Sequence, residues 1–266
     1  MLTLSDTQLN AWLIQFIWPL ARILGLFMVA PIFGHTAVPT RVKLGLGVFV
    51  ALAIAPALPP MPQVELGSWA GLLILSQQIV IGLAMGFVMK LIFSAIETAG
   101  EIIGLQIGLG FATFFDPQSA GQTLVIGRFL HLLAMLVFLA VNAHLLLLGV
   151  LAESFQSLPI QSTPLAAKGF FSLAQAGTHV FAIGLQLALP IIAILLMTNL
   201  TLGILTRSAP QLNIFAIGFP ITLGIGLITM DWSMGYFAPQ FERAFTTGFQ
   251  AIAQVLATLQ PGSDTP

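Results

Sequence analysis

The chain has 266 residues, 58% hydrophobic and 6% charged, with a net charge of −1 and no cysteine. Soluble domains carry roughly 25% charged residues, so this composition argues against a water-soluble protein. The small net charge offers no basic surface for nucleic acid, and without thiols there is no disulfide, thiolate metal site or cysteine nucleophile. Asp, Glu, Lys and Arg are absent from 44–64, 66–89, 129–152, 169–206 and 208–230, gaps as long as the roughly 20 apolar residues that a membrane-spanning helix needs.

The first residues, MLTLSDTQLNAW, carry no Lys or Arg before the first apolar run and no small-residue cleavage site after it, so they do not read as a cleaved signal peptide. Six segments are apolar enough to span as helices, at about 9–33, 42–58, 69–93, 125–151, 177–205 and 211–231. The expected fold class is therefore all-α and integral membrane-type. Turn chemistry separates the segments: PIFGHTAVPT, APALPPMP, SLPIQSTP and TRSAPQLN all contain proline, which removes a backbone donor and turns its predecessor away from helix. With the N-terminus outside, the inner connections hold Arg41, Lys43, Lys90, Arg128 and Arg207, and the outer ones Lys168 and Arg243, as the positive-inside tendency requires. Trp12, Trp18, Trp69, Trp232 and Tyr236 then fall toward the outer interface.

Arg22 stands alone inside the first segment, where a buried charge invites hydrogen bonding between subunits. In the third, Lys90, Ser94, Glu97 and Glu101 fall along one line of a helix. The stripe reads either as a solvated, ion-paired extension or as a proton relay. Gly82 and Gly86, then Gly100, Gly104 and Gly108, recur at intervals of four, the spacing that lets helix backbones approach closely. The second series runs into LQIGLGFATFFDPQ, where Gly108 and Gly110 loosen the helix, Phe111, Phe114 and Phe115 follow, and Asp116 with Pro117 caps a new helix. That stretch reads as a flexible aromatic hinge: a re-entrant loop or an obstruction across a pore.

In the fourth segment Arg128, His131 and Asn142 share one face, with His144 elsewhere, an arrangement suited to inter-subunit hydrogen bonds and lacking a metal-ligand set. After the sixth, Pro239 opens an amphipathic helix at about 238–260, with Phe241, Phe245, Phe249, Ile252 and Val255 on one side, for the membrane interface or a partner. No nucleophile with its base and no phosphate-cradling loop occurs, so an enzyme is not expected and no cofactor is implied.

Three blocks carry a resemblance: VPTRVKLGLG to ALPP, GEIIGLQIGLGFATFFDPQSAG with GRFLHLLAMLVFLAVNAHL, and TNLTLGILTRSAPQLNIFAIGFPITL. They resemble the FliR/SctT family of type III export-gate subunits, in its flagellar branch, over about residues 10–235. The resemblance implies a bacterial inner-membrane protein of the flagellar basal body that builds a helical export channel with FliP and FliQ. FlhB and FlhA are the implied neighbours, and unfolded flagellar proteins the cargo. It implies a FliP-like part over about 1–176 followed by a FliQ-like hairpin over about 177–231, turning at Arg207, Pro210, Gln211 and Asn213. It also implies that 104–122 is a plug, with Phe111, Phe114 and Phe115 as the stoppering side chains; the charged stripe Lys90, Glu97 and Glu101 just before it is read as setting its position, and Arg128, His131 and Asn142 as gating or partner contacts. In that family much of the core stands above the membrane, so hydropathy here predicts burial in something apolar, whether lipid or protein. A secondary transporter or channel for a small solute is the alternative, disfavoured because no internal repeat is found.

Overall fold

The computed structural model describes residues 6–59, 61–62, 64–111, 125–209 and 214–262. All regular structure among them is helical: α1 (Asp6–Val29), α2 (Thr40–Ile54), α3 (Trp69–Ile107), α4 (Val125–Ala140), α5 (Ala143–Ser157), α6 (Ala167–Ala176), α7 (Thr178–Ser208), α8 (Ile214–Trp232) and α9 (Met234–Leu259), with short 3₁₀ turns at Ala55–Ala57 and Leu109–Phe111. The all-α, membrane-type expectation holds. Among the described residues three helical stretches are long and apolar enough to cross a membrane, Thr40–Ala57, Trp69–Ile107 and Ala167–Ser208, or up to five if each of two bent pairs counts as one span.

The fourth apolar segment is two helices. The break falls at Asn142, whose φ of 56° and ψ of 25° lie in the left-handed region that asparagine tolerates better than most residues. Its carbonyl then accepts the first bonds of α5, from Leu145 and Leu146. This corrects the shared face of Arg128, His131 and Asn142: helical phase is lost after Ala140, and Asn142 is exposed at the junction. Two further boundaries differ from expectation. A short helix, α6, precedes the fifth segment, and α9 starts at Met234, so Pro239 lies inside it.

The chain forms two compact units, one of Met1–Leu91, Asn142–Gly177 and Thr246–Pro266, the other of Ile92–Val141 and Thr178–Phe245. In the first, α1 crosses α3 where glycines remove side chains. A Cβ on Gly25 would lie 2.6 Å from the Ile79 carbonyl oxygen, and one on Gly82 2.0 Å from that of Arg22. This is the close approach expected of the Gly82–Gly86 pair. Around it Trp18, Ile23, Leu26, Phe27, Ile81 and Met85 are buried. Trp18 is fully buried, so it is a core residue and no interface anchor, whereas Trp69 and Trp232 are more than 80% exposed. Serine 68 caps α3, its Oγ accepting from the Gly71 amide at 3.1 Å, which satisfies one of the free donors of a helix start.

In the second unit Phe93, Phe138 and Phe245 meet with ring centroids 5.0–5.5 Å apart, edge-on and stacked arrangements that aromatic quadrupoles favour. Phe241 and Phe245 of α9 are buried here, while Ile252 and Val255 are buried in the first unit. The apolar side of this helix is therefore covered by its own chain, in place of the membrane interface or partner expected from periodicity.

Candidate functional site

The candidate site grows from the way α3 and α4 pack. A Cβ on Gly100 would lie 2.6 Å from Gly127 Cα, Glu97 faces His131 at 3.7 Å, and Phe93 packs edge-on to Phe138. As α3 numbers fall, α4 numbers rise, so the two helices are antiparallel, the two arms of a hairpin. Gly100 earns its place in sequence through this contact, because only a missing side chain lets two backbones come so near.

The hairpin's first arm ends at Gly108. Its φ of 100° is disfavoured for residues with a Cβ, and its amide bonds the Leu105 carbonyl at 3.0 Å. The last carbonyls of a helix lack intrahelical donors; here that of Ile107 receives the buried Thr222 hydroxyl of α8 at 3.1 Å, shared with the Phe219 carbonyl at 3.1 Å. A Cβ on Gly226 would lie 2.5 Å from Ile107 Cγ1, so α8 also braces this end sterically. Neither Thr222 nor Gly226 stood out in sequence, since a hydroxyl and a glycine in an apolar helix usually serve their own helix. Thr222→Val keeps the shape and removes the donor; it is expected to lower the thermal midpoint in detergent by the equivalent of about 1 kcal/mol.

Phe114, Phe115, Asp116 and Pro117 lie outside the described residues, as do Pro210, Gln211 and Asn213. Phe111 closes the 3₁₀ turn after Gly108. On α3, Lys90 is exposed and Ser94, Glu97 and Glu101 are half-buried. Arg128 is exposed on α4, and Arg207 is exposed in the last turn of α7. His144 is half-buried with Nδ1 unpaired.

Arg22 is the residue whose expected role changes. It is fully buried, and its partners are within the chain: Nε donates to Gln78 Oε1 at 2.9 Å, Nη1 to the Ser154 carbonyl and Oγ at 2.8 and 3.0 Å, and Nη2 to the Leu158 carbonyl at 2.9 Å. The guanidinium carbon lies 4.1 Å from the Phe155 ring centroid, within cation–π range. Ser154 and Leu158 mark the C-terminal end of α5, where the helix dipole presents partial negative charge. A helix end thus takes the role that a carboxylate would play.

Residues 13–248 match the bacterial export proteins, family 1. The chain belongs to this family. Within it the chain is 47% identical over 259 residues to flagellar biosynthetic protein FliR of Pectobacterium carotovorum subsp. carotovorum, covering 97% of this chain and 99% of the relative. Identity to FliR of Escherichia coli (strain K12) is 46% over the same length and coverage, and to FliR of Bacillus subtilis (strain 168) 31% over 250 residues, 93% and 95% of the two chains. Membership of the FliR family makes this a component of the flagellar export apparatus, and the long apolar helices make it a membrane-type protein.

Proposed function

We propose that this chain is a structural and gating subunit of the flagellar export channel, assembled with FliP- and FliQ-like subunits in the bacterial inner membrane, next to FlhB and FlhA, and that residues 104–122 plug the channel. The observation that carries the reading is the α3–α4 hairpin. Two helices in backbone contact at Gly100 and Gly127 form a stiff stalk, and the Gly/Phe-rich segment joins their ends. Such a segment obstructs a passage when it is carried by rigid arms and supplies several apolar rings.

The surface favours a scaffold role. On α7, Phe181, Leu185, Leu189, Met197, Leu200 and Ile204 are exposed, and the groove between α7 and α8 is lined by Ile194, Met197, Leu205, Ile221 and Ile225. The hydroxyls of Thr198 and Thr201 in that groove donate to carbonyls of their own helix, so their hydrogens are not offered to water. Apolar surface of this extent calls for a cover of lipid or protein. FliQ-like hairpins fit beside α7 and α8, which we read as the FliQ-like part over about 177–231, following a FliP-like part over about 1–176.

Replacing Phe111, Phe114 and Phe115 together with alanine, or deleting 110–116, is expected to make the assembled channel leaky to ions. Membrane conductance in cells making the complex is the measurement. A conductance equal to that of the parent, with the complex intact, would remove the plug role.

A further inference from the structure

The stoppering rings of the proposed plug do not use Glu97 and His131. Their Oε2 and Nδ1 atoms are 3.7 Å apart and each side chain is 31% exposed. That is beyond hydrogen-bond range, and the Nδ1 atom itself is buried without a hydrogen-bond partner. With its proton on Nε2, a neutral imidazole turns a lone pair toward the carboxylate. An imidazolium has N–H on both nitrogens, so uptake of one proton turns the contact into a charge-assisted hydrogen bond, whose usual length is about 2.8 Å. The ring is steadied by Phe93, edge-on at 5.6 Å, which is itself stacked on Phe245 at 5.5 Å.

We propose that Glu97 and His131 form a proton-operated clasp that sets how tightly α3 and α4 close beneath the segment joining them. They are positioning residues, and their effect on leakage rests on reading that segment as a plug. Charges of both signs flank the pair: Glu101 lies one turn along α3, Lys90 two turns back on the same helix, and Arg128 one turn back on α4. The other packed elements bring His179 on α7, Asp231 on α8, and Glu242 and Arg243 on α9. Glu97 is the carboxylate that the ring nitrogen faces. The contact lies one turn beyond the Gly100–Gly127 approach, so closing it draws together helices that already touch, and releasing it frees the hairpin to part below its tip.

The chain has no cysteine, so Leu105→Cys and Val125→Cys give two unique labelling sites. Both native side chains are exposed, at 62% and 74%, and they flank the segment. Spin labels there, in the full chain within its assembled complex, report the separation of the arms at about pH 5.5 and about pH 8, which bracket the range where imidazoles change charge. The expected result is a shorter, narrower distance distribution at the lower pH, and loss of that response in Glu97→Gln and in His131→Gln. A distance that does not change with pH in the parent would overturn the clasp, as would a response that survives in both variants. Should a Gln variant fail to assemble, Glu97→Asp keeps the charge and must keep the response. Conductance of the same preparations separates the two ideas: arms that respond to pH in a channel indifferent to its phenylalanines would sink the plug and leave the clasp.

Discussion

Gly82→Ala is expected to destabilise the protein by about 3 kcal/mol, the upper part of the usual range for overpacking. Intrinsic propensity argues the opposite, since alanine is favoured over glycine inside a helix by roughly 1 kcal/mol. Geometry decides. The added methyl would lie 2.0 Å from the Arg22 carbonyl oxygen and 2.8 Å from the Leu26 amide nitrogen, both backbone atoms of α1, so relief requires the two helices to separate. Separation would also disturb Arg22, whose side chain reaches Gln78 from the same stretch of α1. Gly203→Ala is the matched control, because a Cβ there meets nothing within 4 Å in the chain. The thermal midpoint of the detergent-solubilised protein should fall sharply for Gly82→Ala and hold or rise slightly for Gly203→Ala. Equal midpoints for Gly82→Ala and the parent would contradict the close crossing. A Gly203→Ala protein that is stable but no longer assembles would locate a subunit contact on α7.

Arg22→Ala should cost about 3–5 kcal/mol, the range for removing one member of a buried polar or charged set. The loss has three sources: Gln78 Oε1 and the carbonyls of Ser154 and Leu158 lose a charged donor, the Phe155 face loses its cation, and a side-chain-sized void remains. Arg22→Lys keeps the charge but replaces a planar fork of five N–H groups with a single ammonium, which cannot reach Gln78, Ser154 and Leu158 together; it should fall between the parent and alanine. Gln78→Leu removes one acceptor and should cost about 1 kcal/mol, leaving the grip on α5 intact. The ordering alanine, lysine, leucine at 78, then parent is read from thermal unfolding in detergent. Lysine as stable as arginine would show that charge alone matters, against the hydrogen-bond geometry.

How much of this was legible beforehand varies from feature to feature. The small-residue spacing announced close helix contact, and it occurs at Gly82 and Gly100. Which helix each glycine meets was invisible, because spacing marks a face and not the element that covers it. The amphipathic period of α9 was correct in phase, yet its cover is the chain's own core. A helical moment states that one side wants burial and carries no address. Arg22 misled for a related reason: in an apolar run a lone cation suggests a partner outside the chain, while its acceptors here are the carbonyls of a helix end, and every sequence has those. Asn142 broke a hydrophobic run that contains no proline or glycine at the junction, a local choice of backbone angle with only a weak residue preference. Of the site residues, Glu97 and the α3 stripe were readable from periodicity, whereas the partnership of Glu97 with His131 needed two helices brought together antiparallel.

The amino-acid sequence alone determined that this is a chain of apolar helices with a glycine- and phenylalanine-rich interruption near its middle, and its motifs were enough to point to the export family. Those properties depend on residue type and on periodicity along one strand of chain, which are local. The tertiary structure decided that α3 and α4 form one hairpin, that a helix terminus accepts the hydrogen bonds of Arg22, and that Thr222 secures the end of α3. Each of these joins residues tens to more than a hundred positions apart, and such contacts depend on which backbones can approach in space, a quantity that no stretch of sequence carries by itself.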